Sequence, residues 1–421
     1  MAETILVKLG ELTLKGGNRE GFERILRRNM LAALRSVSPG FKLESRAGRI
    51  YIHCTSEEAA EKAEQALSRL AGIAGWARTR KTGKTVDEVT AACVAEGKKL
   101  LASGIQSFKV EARRTDKSFP LNSYEICKIA GDVIRTQAPE LRVDVKNPEA
   151  VISVEIREKA YIYGAGKKGR RGLPTGSAGR GLLLLSGGID SPVAGCLIAG
   201  RGMGLDAVYF HTPPYTSPQA LEKTVRLAEI TGSYAMGIHL YIVNFTGVQK
   251  RIAEKSPVEW STVLLRMAMM EAASIIARKT KAKCLITGES LSQVASQTIE
   301  NLSCTESRSL FPVLRPLIGM DKETITALAK EFGTYETSIL PFADCCVLFS
   351  PAHPVLRGQV DEAAALYAAL GLHSREVPHI QDITGLIYDA LKTAEVRKCG
   401  YYLPAYDAAP KCQILEQVQL P

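Results

Sequence analysis

The sequence predicts an α/β multidomain protein whose second half is a doubly wound parallel sheet. With 421 residues the chain is too long for one ordinary core, so we expect two or three domains. From residue 181 onward, short apolar runs alternate with helical patterns, which is typical of a parallel sheet with right-handed crossovers. Before residue 165, short strands and basic helices predict smaller α+β domains instead.

The composition narrows the functional classes. Hydrophobic residues make up 46% of the chain and charged residues 23%, as in soluble globular proteins. No apolar run reaches the roughly 18 residues of a membrane span, so we expect a cytoplasmic protein with no membrane partner. The net charge of +10 favours a polyanionic partner. The ten cysteines show neither CxxC nor zinc-type spacing, so we expect no disulfide framework and no structural metal site.

The amino-terminal region predicts a small β/α sandwich with a basic flank. Strands are expected at residues 4–9, 41–45 and 49–54, and helices at residues 19–36 and 56–70. The basic flank consists of arginines at helical spacing on the first helix: Arg24, Arg27, Arg28 and Arg35. Taken alone, this face is typical of a solvated surface.

A second basic feature follows the strand expected at residues 107–114. That strand ends in Arg113 and Arg114, and Lys117 and Phe119 follow in the loop. Two guanidinium groups, an ammonium and an aromatic ring at a strand end can grip phosphates and stack on unpaired bases. The alternative is a buried Phe119 that only packs. The block is completed by a helix at 123–136 and strands at 143–145 and 151–156.

Residues 164–181 separate the two halves of the chain. This stretch holds seven glycines and five basic residues and almost nothing apolar. We expect a linker or a flexible phosphate-facing loop that marks the domain boundary.

The next residues predict a strand, a glycine turn and the start of a helix. Residues 182–185 are the apolar strand and residues 186–188 are the turn, Ser-Gly-Gly. Ser191 is expected to cap the helix and Pro192 to begin it. Bare glycine backbone, unpaired amides and the positive end of a helix dipole together form an anion cradle. A Walker loop needs lysine near this point, whereas Asp190 is expected to hold Mg²⁺ or orient the loop. The alternative is a turn that binds no ligand.

Further strand ends are expected at the same edge of the sheet. Strands are expected at residues 205–210, 239–243 and 284–287, and helices at residues 259–279 and 290–301. Ligands bind beyond the carboxyl ends of parallel strands. We therefore expect the chemistry at residues 186–190, from Phe210 onward, and at residues 288–289.

Several motifs resemble known families. SGGIDS resembles the PP-loop of ATP pyrophosphatases, which split ATP into AMP and pyrophosphate, and FKVEARRTDKSFPLNSYEI resembles the RNA-binding THUMP domain. In order along the chain, further segments resemble the tRNA 4-thiouridine synthase family, also called tRNA sulfurtransferase or ThiI. These segments are GELTLKGGNR, RRTDKSFP, GLPTGS, LLLLSGGIDSPVAG, FHTPPYTS, TGESLSQVASQT, VLRPLIGMDK and TSILPFADCCVLFSP.

The resemblance implies a domain order. We expect an N-terminal ferredoxin-like α+β domain, a THUMP domain, a glycine-rich linker, a doubly wound PP-loop domain and a C-terminal tail of unassigned role. Their expected bounds are 1–60, 61–167, 168–180, 181–395 and 396–421.

The resemblance also implies an activity. The family uses ATP to activate the C4 oxygen of uridine 8 in tRNA, then replaces that oxygen with sulfur from a persulfide supplied by a cysteine desulfurase. It also feeds sulfur to the thiazole of thiamine through a small carrier protein. We therefore expect ATP and Mg²⁺ as cofactors, tRNA, a desulfurase and a carrier as partners, and a homodimer. Two alternatives stay open: a sulfur-relay protein for thiazole formation, and a small-molecule adenylating synthetase.

The family's functional residues map onto positions of this sequence. Expected ATP contacts are Leu184, Leu185, Ser186, Gly187, Gly188, Ser191, Tyr209, Phe210, Arg266, Gly288 and Gln297, and expected RNA contacts are Arg113, Arg114 and Lys117. Asp190 and Lys322 match residues associated with activation. The alternatives are a surface arginine at 266 and an ordinary first-turn lysine at 322, after an Asp321 cap.

The sulfur step is expected to use Cys345. This residue matches the family cysteine that resolves the persulfide by forming a disulfide, a reaction that needs an accessible thiolate. We expect the form of the family without a rhodanese domain, so the sulfur carrier is Cys345 itself or a partner protein. An iron-sulfur cluster is not expected, because CxxC is absent. Cys346, Cys399 and Cys412 have no assigned role.

Overall fold

The chain divides into two compact units in a computed structural model. The units are Met1–Leu173 and Pro174–Pro421. The structure describes residues 3–11, 16–38, 41–46, 48–164, 166–342, 351–371, 383–400 and 413–415. Cys345, Cys346 and Cys412 lie outside these ranges.

The amino-terminal unit is a continuous mixed sheet with four helices in its described part. Its strands are β1 (Glu3–Leu9), β2 (Lys42–Arg46), β3 (Arg49–Cys54), β4 (Ile73–Thr82), β5 (Ser107–Arg114), β6 (Arg142–Val143), β7 (Ala150–Ile156), β8 (Ala160–Tyr163) and β9 (Lys167–Lys168). Its helices are α1 (Arg19–Val37), α2 (Glu57–Arg69), α3 (Val86–Ala102) and α4 (Ser123–Gln137). The strand order is β2-β3-β1-β4-β8-β7-β5-β6, and β9 pairs with β4.

Strand β4 joins the two parts of this sheet. It pairs antiparallel with β1 and, further along, with β8. The sequence patterns predict neither β4 nor α3, because β4 reads IAGWARTRKT and shows no clean alternation of apolar and polar residues. Helix α3 does begin at a capping box, in which Thr85 Oγ accepts from the Glu88 amide and the Glu88 carboxylate accepts from the Thr85 amide.

The glycine-rich stretch is paired backbone where the structure describes it. Strand β9 lies against β4, and the Gly169 and Arg171 amides donate to the carbonyl oxygens of Ala74 and Ile73. A Cβ on Gly169 would lie 2.5 Å from the Ile73 oxygen, so glycine is needed for this close approach. The expected flexible loop is therefore wrong for residues 167–171.

The carboxy-terminal unit is a second sheet with helices on both faces. Its strands are β10 (Arg180–Leu184), β11 (Gly204–His211), β12 (Ile238–Asn244), β13 (Leu285–Ile286), β14 (Val313–Leu314), β15 (Glu395–Cys399) and β16 (Gln413–Leu415). Its helices are α5 (Asp190–Gly200), α6 (Pro218–Tyr234), α7 (Thr246–Lys255), α8 (Ser261–Thr280), α9 (Ile299–Glu306), α10 (Lys322–Phe332), α11 (Tyr335–Ser338), α12 (Val360–Ala369) and α13 (Ile383–Lys392).

The strand order makes this sheet doubly wound. The order is β14-β13-β10-β11-β12-β15-β16, in which β10 to β14 are parallel and β15 and β16 are antiparallel. From β10 the chain adds β11 and β12 on one side and later β13 and β14 on the other. Such a reversal leaves a crevice beyond the carboxyl ends of β10 and β13.

Two apolar cores cover the two faces of this sheet. Leu182 belongs to the core that contains α8, whereas its neighbour Leu183 belongs to the core that contains α5. The segment Val258–Thr280 is long and apolar enough to cross a membrane, but 78% of its apolar window is buried inside the structure. Its burial is that of the core helix of a folded domain.

The helix predicted over residues 290–301 is wrong. Residues 290–294 form a loop, Ala295–Gln297 a single 3-10 turn, and α9 begins only at Ile299. Ser292 has a left-handed φ of 60° and its amide donates to the Gln297 carbonyl, while Ser290 Oγ donates to the Met320 carbonyl. These bonds favour a compact loop over helical pairing.

Candidate active site

A cavity of about 390 Å³ lies at the carboxyl ends of β10, β11 and β13. Strand ends, α5, α8 and the loop before α9 form its walls. The lining residues are Leu184, Leu185, Ser186, Gly188, Asp190, Ser191, Tyr209, Phe210, Arg266, Met269, Met270, Thr287, Gly288, Glu289, Gln293, Val294, Gln297 and Thr305.

Hydroxyl groups brace the glycine turn at this cavity. The Ser186 amide donates to Ser191 Oγ over 2.9 Å, and the Gly188 amide donates to Ser186 Oγ over 3.3 Å. Helix α5 begins at Asp190, so Ser191 lies inside its first turn and bonds back to the glycine turn. The predictions of a Ser191 cap and of unpaired amides at Ser186 and Gly188 are therefore wrong. The positive end of the α5 dipole still lies at the turn.

Gly288 brings the end of β13 close to the start of α5. A Cβ at this position would lie 2.5 Å from the Ser191 amide nitrogen and 2.7 Å from the Asp190 carbonyl carbon. Both neighbours are backbone atoms, so a larger residue would displace the beginning of the helix. The sequence needs glycine here to place Asp190 at the cavity.

Asp190 is held at both carboxylate oxygens. Lys322 Nζ lies 2.6 Å from Oδ1, and Gln293 Nε2 donates to Oδ2 over 2.9 Å. Lys322 is the first residue of α10, which Asp321 caps by accepting from the Thr324 amide over 2.7 Å. Lys322 is therefore both a first-turn lysine after an Asp321 cap and the ion-pair partner of Asp190. An ammonium beside a carboxylate at a helix start is suited to charge stabilisation during phosphoryl chemistry.

Glu289 is the buried acidic group of the same cavity. It pairs with Arg266 and, over 2.7 Å, with Arg315 Nε, and it accepts from Thr287 Oγ over 2.8 Å. Burial alone would raise the pKa of the Glu289 carboxyl, but the two guanidinium groups outweigh burial and hold this pKa below its ordinary value. Glu289 is therefore ionised and fixes both arginines. Arg266 lies at the cavity and is not merely a surface residue of α8.

Apolar side chains supply much of the remaining wall. They come from the ends of β10 and β11 and from α8: Leu184, Leu185, Tyr209, Phe210, Met269 and Met270. A cavity that combines an apolar wall, a glycine turn, a helix start and fixed charges is suited to a ligand with a flat ring and anionic groups.

Three family models match the chain. The model for Thiamine biosynthesis protein (ThiI) matches residues 176–372, that for the ThiI ferredoxin-like domain residues 4–77, and that for the THUMP domain residues 83–164. A probable tRNA sulfurtransferase of Treponema pallidum (strain Nichols) is 49% identical over 369 residues, 87% of this chain and 91% of the relative. The chain belongs to the tRNA sulfurtransferase family.

Two further comparisons agree with this membership. A probable tRNA sulfurtransferase of Lachnoclostridium phytofermentans is 41% identical over 397 residues, 94% of this chain and 99% of the relative. The crystal structure of a 4-thiouridine synthetase in complex with RNA and bound ATP is 34% identical, with a TM-score of 0.85, covering 95% of this chain and 100% of that one. The predicted family, fold class and enzyme class are confirmed.

Most of the predicted site residues of this sulfurtransferase meet at the cavity. All predicted ATP contacts except Gly187 line it, and Gly187 lies in the turn between two lining residues. Asp190 lines the cavity and Lys322 contacts Asp190. Cys345 lies outside the described residues. Contacts of these residues with a ligand stay predictions.

Sequence reasoning missed Gln293, Arg315 and two methionines at this site. Gln293 lies four residues before Gln297 in TGESLSQVASQT, and Arg315 lies in VLRPLIGMDK, so both belong to segments that resemble the family, but no role is predicted for either. Met269 and Met270 follow Arg266 by three and four residues, a spacing that places them on the same face of α8. Helical spacing was the signal that could have identified them.

The predicted RNA contacts lie in the amino-terminal unit and differ from one another. Arg113 and Lys117 are exposed, whereas Arg114 Nη1 donates to the carbonyl oxygens of Phe119 and Leu121 over 2.9 and 3.1 Å. Phe119 is only 4% exposed and belongs to the core of this unit. Of the two alternatives for Phe119, the structure therefore supports the buried ring that packs internally.

Proposed function

We propose that this sulfurtransferase converts uridine 8 of tRNA to 4-thiouridine in an ATP-dependent reaction. One observation supports this most: Asp190, Gln293 and Lys322, from three separate segments, are joined by hydrogen bonds at one cavity. The relatives are named tRNA sulfurtransferases, and the similar 4-thiouridine synthetase is solved with RNA and ATP. A small-molecule adenylating synthetase would have no need of the matched THUMP domain.

In this proposal ATP occupies the cavity at the carboxyl ends of β10, β11 and β13. The apolar wall from β10, β11 and α8 suits the adenine ring. Arg266, oriented by Glu289, supplies positive charge for a phosphate, and the start of α5 adds the positive end of a helix dipole. Gly188 leaves room for close approach, since an added Cβ would meet only Ser186 Oγ, at 3.4 Å.

Mg²⁺ is the proposed companion of the nucleotide. Mg²⁺ is usually bound by one or two carboxylates together with substrate phosphates. Asp190 offers a carboxylate at the cavity, and the described residues contain no group of three or more His, Cys, Asp or Glu placed to hold a metal. This donor set fits a metal that arrives with the phosphates. When bound, Mg²⁺ neutralises phosphate charge.

Lys322 is the proposed stabiliser of the adenylation step. The C4 oxygen of uridine bonds to the α-phosphorus of ATP while the bond from that phosphorus to pyrophosphate breaks. The ammonium group of Lys322, oriented by Asp190, would stabilise the negative charge that develops on phosphate or on the uridine oxygen.

Cys345 is the proposed residue of the sulfur step. The terminal sulfur of a persulfide from a cysteine desulfurase attacks C4, and AMP leaves with the former C4 oxygen. In this step the carrier is a cysteine of the partner protein that delivered the persulfide. The Cys345 thiolate attacks the sulfur of that cysteine, the S–S bond breaks, and its electron pair stays on the sulfur bonded to C4. Cys345 ends in a disulfide with the carrier cysteine, and a thiol reductant reopens that disulfide for the next turnover. We further propose that a small carrier protein accepts sulfur from this protein for thiazole formation. The protein is also proposed to form a homodimer and to act in the cytoplasm.

Two substitutions test the proposal with tRNA, ATP, cysteine and a purified desulfurase. Asp190→Ala is expected to lose both tRNA-dependent pyrophosphate release and 4-thiouridine formation. Cys345→Ala is expected to lose only 4-thiouridine formation. The matched controls are Asp361→Ala, at an exposed position of α12, and Cys127→Ala, at a cysteine of the amino-terminal unit. Wild-type thiolation in Asp190→Ala contradicts the proposal, because adenylation at this cavity would then not need the Asp190 carboxylate.

A further inference from the structure

Lys223 is a buried lysine that does not line the cavity. It lies on α6 and is only 8% exposed. Taking an ammonium group out of water is costly unless hydrogen bonds compensate. Lys223 Nζ donates to the carbonyl oxygen of Leu340 over 2.9 Å and to that of Phe342 over 3.3 Å. The buried ammonium group of Lys223 therefore binds the backbone of one short segment, residues 340–342.

That segment is also tied to the glycine turn. Ser338, the last residue of α11, donates its hydroxyl to the Gly188 carbonyl oxygen over 3.2 Å. Within five residues, the chain leaving α11 is therefore bonded first to the turn at the cavity and then to α6. We name the two bonds from Lys223 Nζ to the carbonyl oxygens of Leu340 and Phe342 the Lys223 anchor.

The position of the Lys223 anchor in the sequence suggests its purpose. Cys345 follows Phe342 by three residues, and three residues span at most roughly 11 Å of chain. We propose that Lys223 is a positioning residue for sulfur transfer, because it fixes the point from which the chain reaches Cys345. This inference rests on the proposed function, in which Cys345 handles the sulfur. Adenylation uses the cavity, which Lys223 does not line, and so should not need the anchor.

The test separates the two half-reactions in the full-length protein. Lys223→Met removes the ammonium but keeps the length of the side chain, and Lys223→Arg keeps a cation that can donate to carbonyl oxygens. tRNA-dependent pyrophosphate release and 4-thiouridine formation are measured with tRNA, ATP, cysteine and a desulfurase. Lys255→Met, at an exposed lysine that ends α7, is the matched control. Ser338→Ala removes the other tether without touching the buried charge.

The expected result is a split between the two readouts. In Lys223→Met, pyrophosphate release stays within about twofold of wild type while thiolation falls roughly ten- to a hundredfold, since small misplacements of reacting groups cost that much. Lys223→Arg recovers part of the loss, and Lys255→Met shows none. Ser338→Ala lowers both readouts together, because Ser338 bonds to the Gly188 carbonyl of the turn at the cavity.

Two results would overturn the inference. One is unchanged thiolation in Lys223→Met. The other is a proportional fall of both readouts in Lys223→Met, the pattern expected for Ser338→Ala, which indicates a general effect on folding or on the cavity. Failure of the proposed function is distinguishable, because the wild-type protein itself would then form no 4-thiouridine.

Discussion

A buried carboxylate is paired in the same way in each unit of the molecule. Glu155 in the amino-terminal unit and Glu289 in the carboxy-terminal unit are each 2% exposed. In both, burial alone would raise the pKa of the carboxyl, but two guanidinium groups outweigh it and hold the pKa below its ordinary value. The partners are Arg49, Arg157 and the Tyr163 hydroxyl for Glu155, and Arg266, Arg315 and the Thr287 hydroxyl for Glu289.

The surroundings of the two carboxylates differ. Near Glu155, the rings of Tyr51 and Tyr161 stack with centroids 4.6 Å apart, and Lys8 Nζ lies 4.7 Å from the Tyr163 ring centroid. Glu289 instead lines the cavity beside the glycine turn. Equal charge patterns and equal pKa directions therefore accompany a packed sheet in one unit and a candidate active site in the other. A perturbed pKa marks a functional site only when a cavity and suitable neighbours accompany it.

The largest effect that tests this comparison is expected from paired carboxamide substitutions. Glu289→Gln and Glu155→Gln each leave two partly buried guanidinium groups without their buried carboxylate, so each should lower the free energy of unfolding by up to about 3–5 kcal/mol. Only Glu289→Gln should also reduce tRNA-dependent pyrophosphate release, by about a hundredfold, because Arg266 loses its orientation. Thermal unfolding and pyrophosphate release at saturating tRNA measure the two effects. An equal loss of pyrophosphate release in Glu155→Gln would break the comparison.

A substitution that changes no charge tests the importance of the cavity. Gly288→Ala places a Cβ 2.5 Å from the Ser191 nitrogen, and the resulting shift of α5 should cost about 1–3 kcal/mol of unfolding free energy. ATP affinity should fall as well, because the start of α5 forms part of the proposed site. Gly319→Ala is the matched control, since nothing lies within 4 Å of its added Cβ. Isothermal titration with ATP that finds equal affinities in both variants would contradict this role of Gly288.

The loss of stability at acid pH should reflect protonation of both carboxylates, Glu155 and Glu289. Their folded-state pKa values lie below the ordinary value of 4.5, so their contribution to stability is present above that pH and is lost as the pH falls through the folded-state values. The unfolding free energy should therefore fall steeply below about pH 4.5, and less steeply in Glu289→Gln and Glu155→Gln. Denaturant unfolding at a series of pH values measures the slopes. Slopes identical to that of wild type in both variants would show that the pairs do not control the acid range.

The location of the candidate site could be predicted from the sequence, whereas the local geometry of its turn and loop could not. The apolar run at residues 182–185 and the alternation after it predict the doubly wound sheet, and the position of strand ends predicts where polar residues collect. Ser191 was misjudged because its hydroxyl finds a partner in Ser186, a choice that depends on the folded turn. Residues 290–301 have a helical pattern, but bonds to residues distant in sequence hold the first half as a loop. Long-range contacts of this kind leave no local period to detect.

The smallest expected effect concerns Arg113 and Arg114, neighbours with the same charge and different contacts. Arg114 Nη1 bonds to two carbonyl oxygens of its own loop, so Arg114→Ala should lower stability, whereas exposed Arg113 is the better candidate for a phosphate contact. Arg113→Ala should reduce tRNA affinity and lower the slope of log affinity against log salt by about one unit or less, because one phosphate contact is lost. Filter binding over a range of salt concentrations and thermal unfolding measure the two predictions. An unchanged slope in Arg113→Ala, or an unchanged melting temperature in Arg114→Ala, would show that contacts within the fold do not separate the RNA-binding arginine from the structural one.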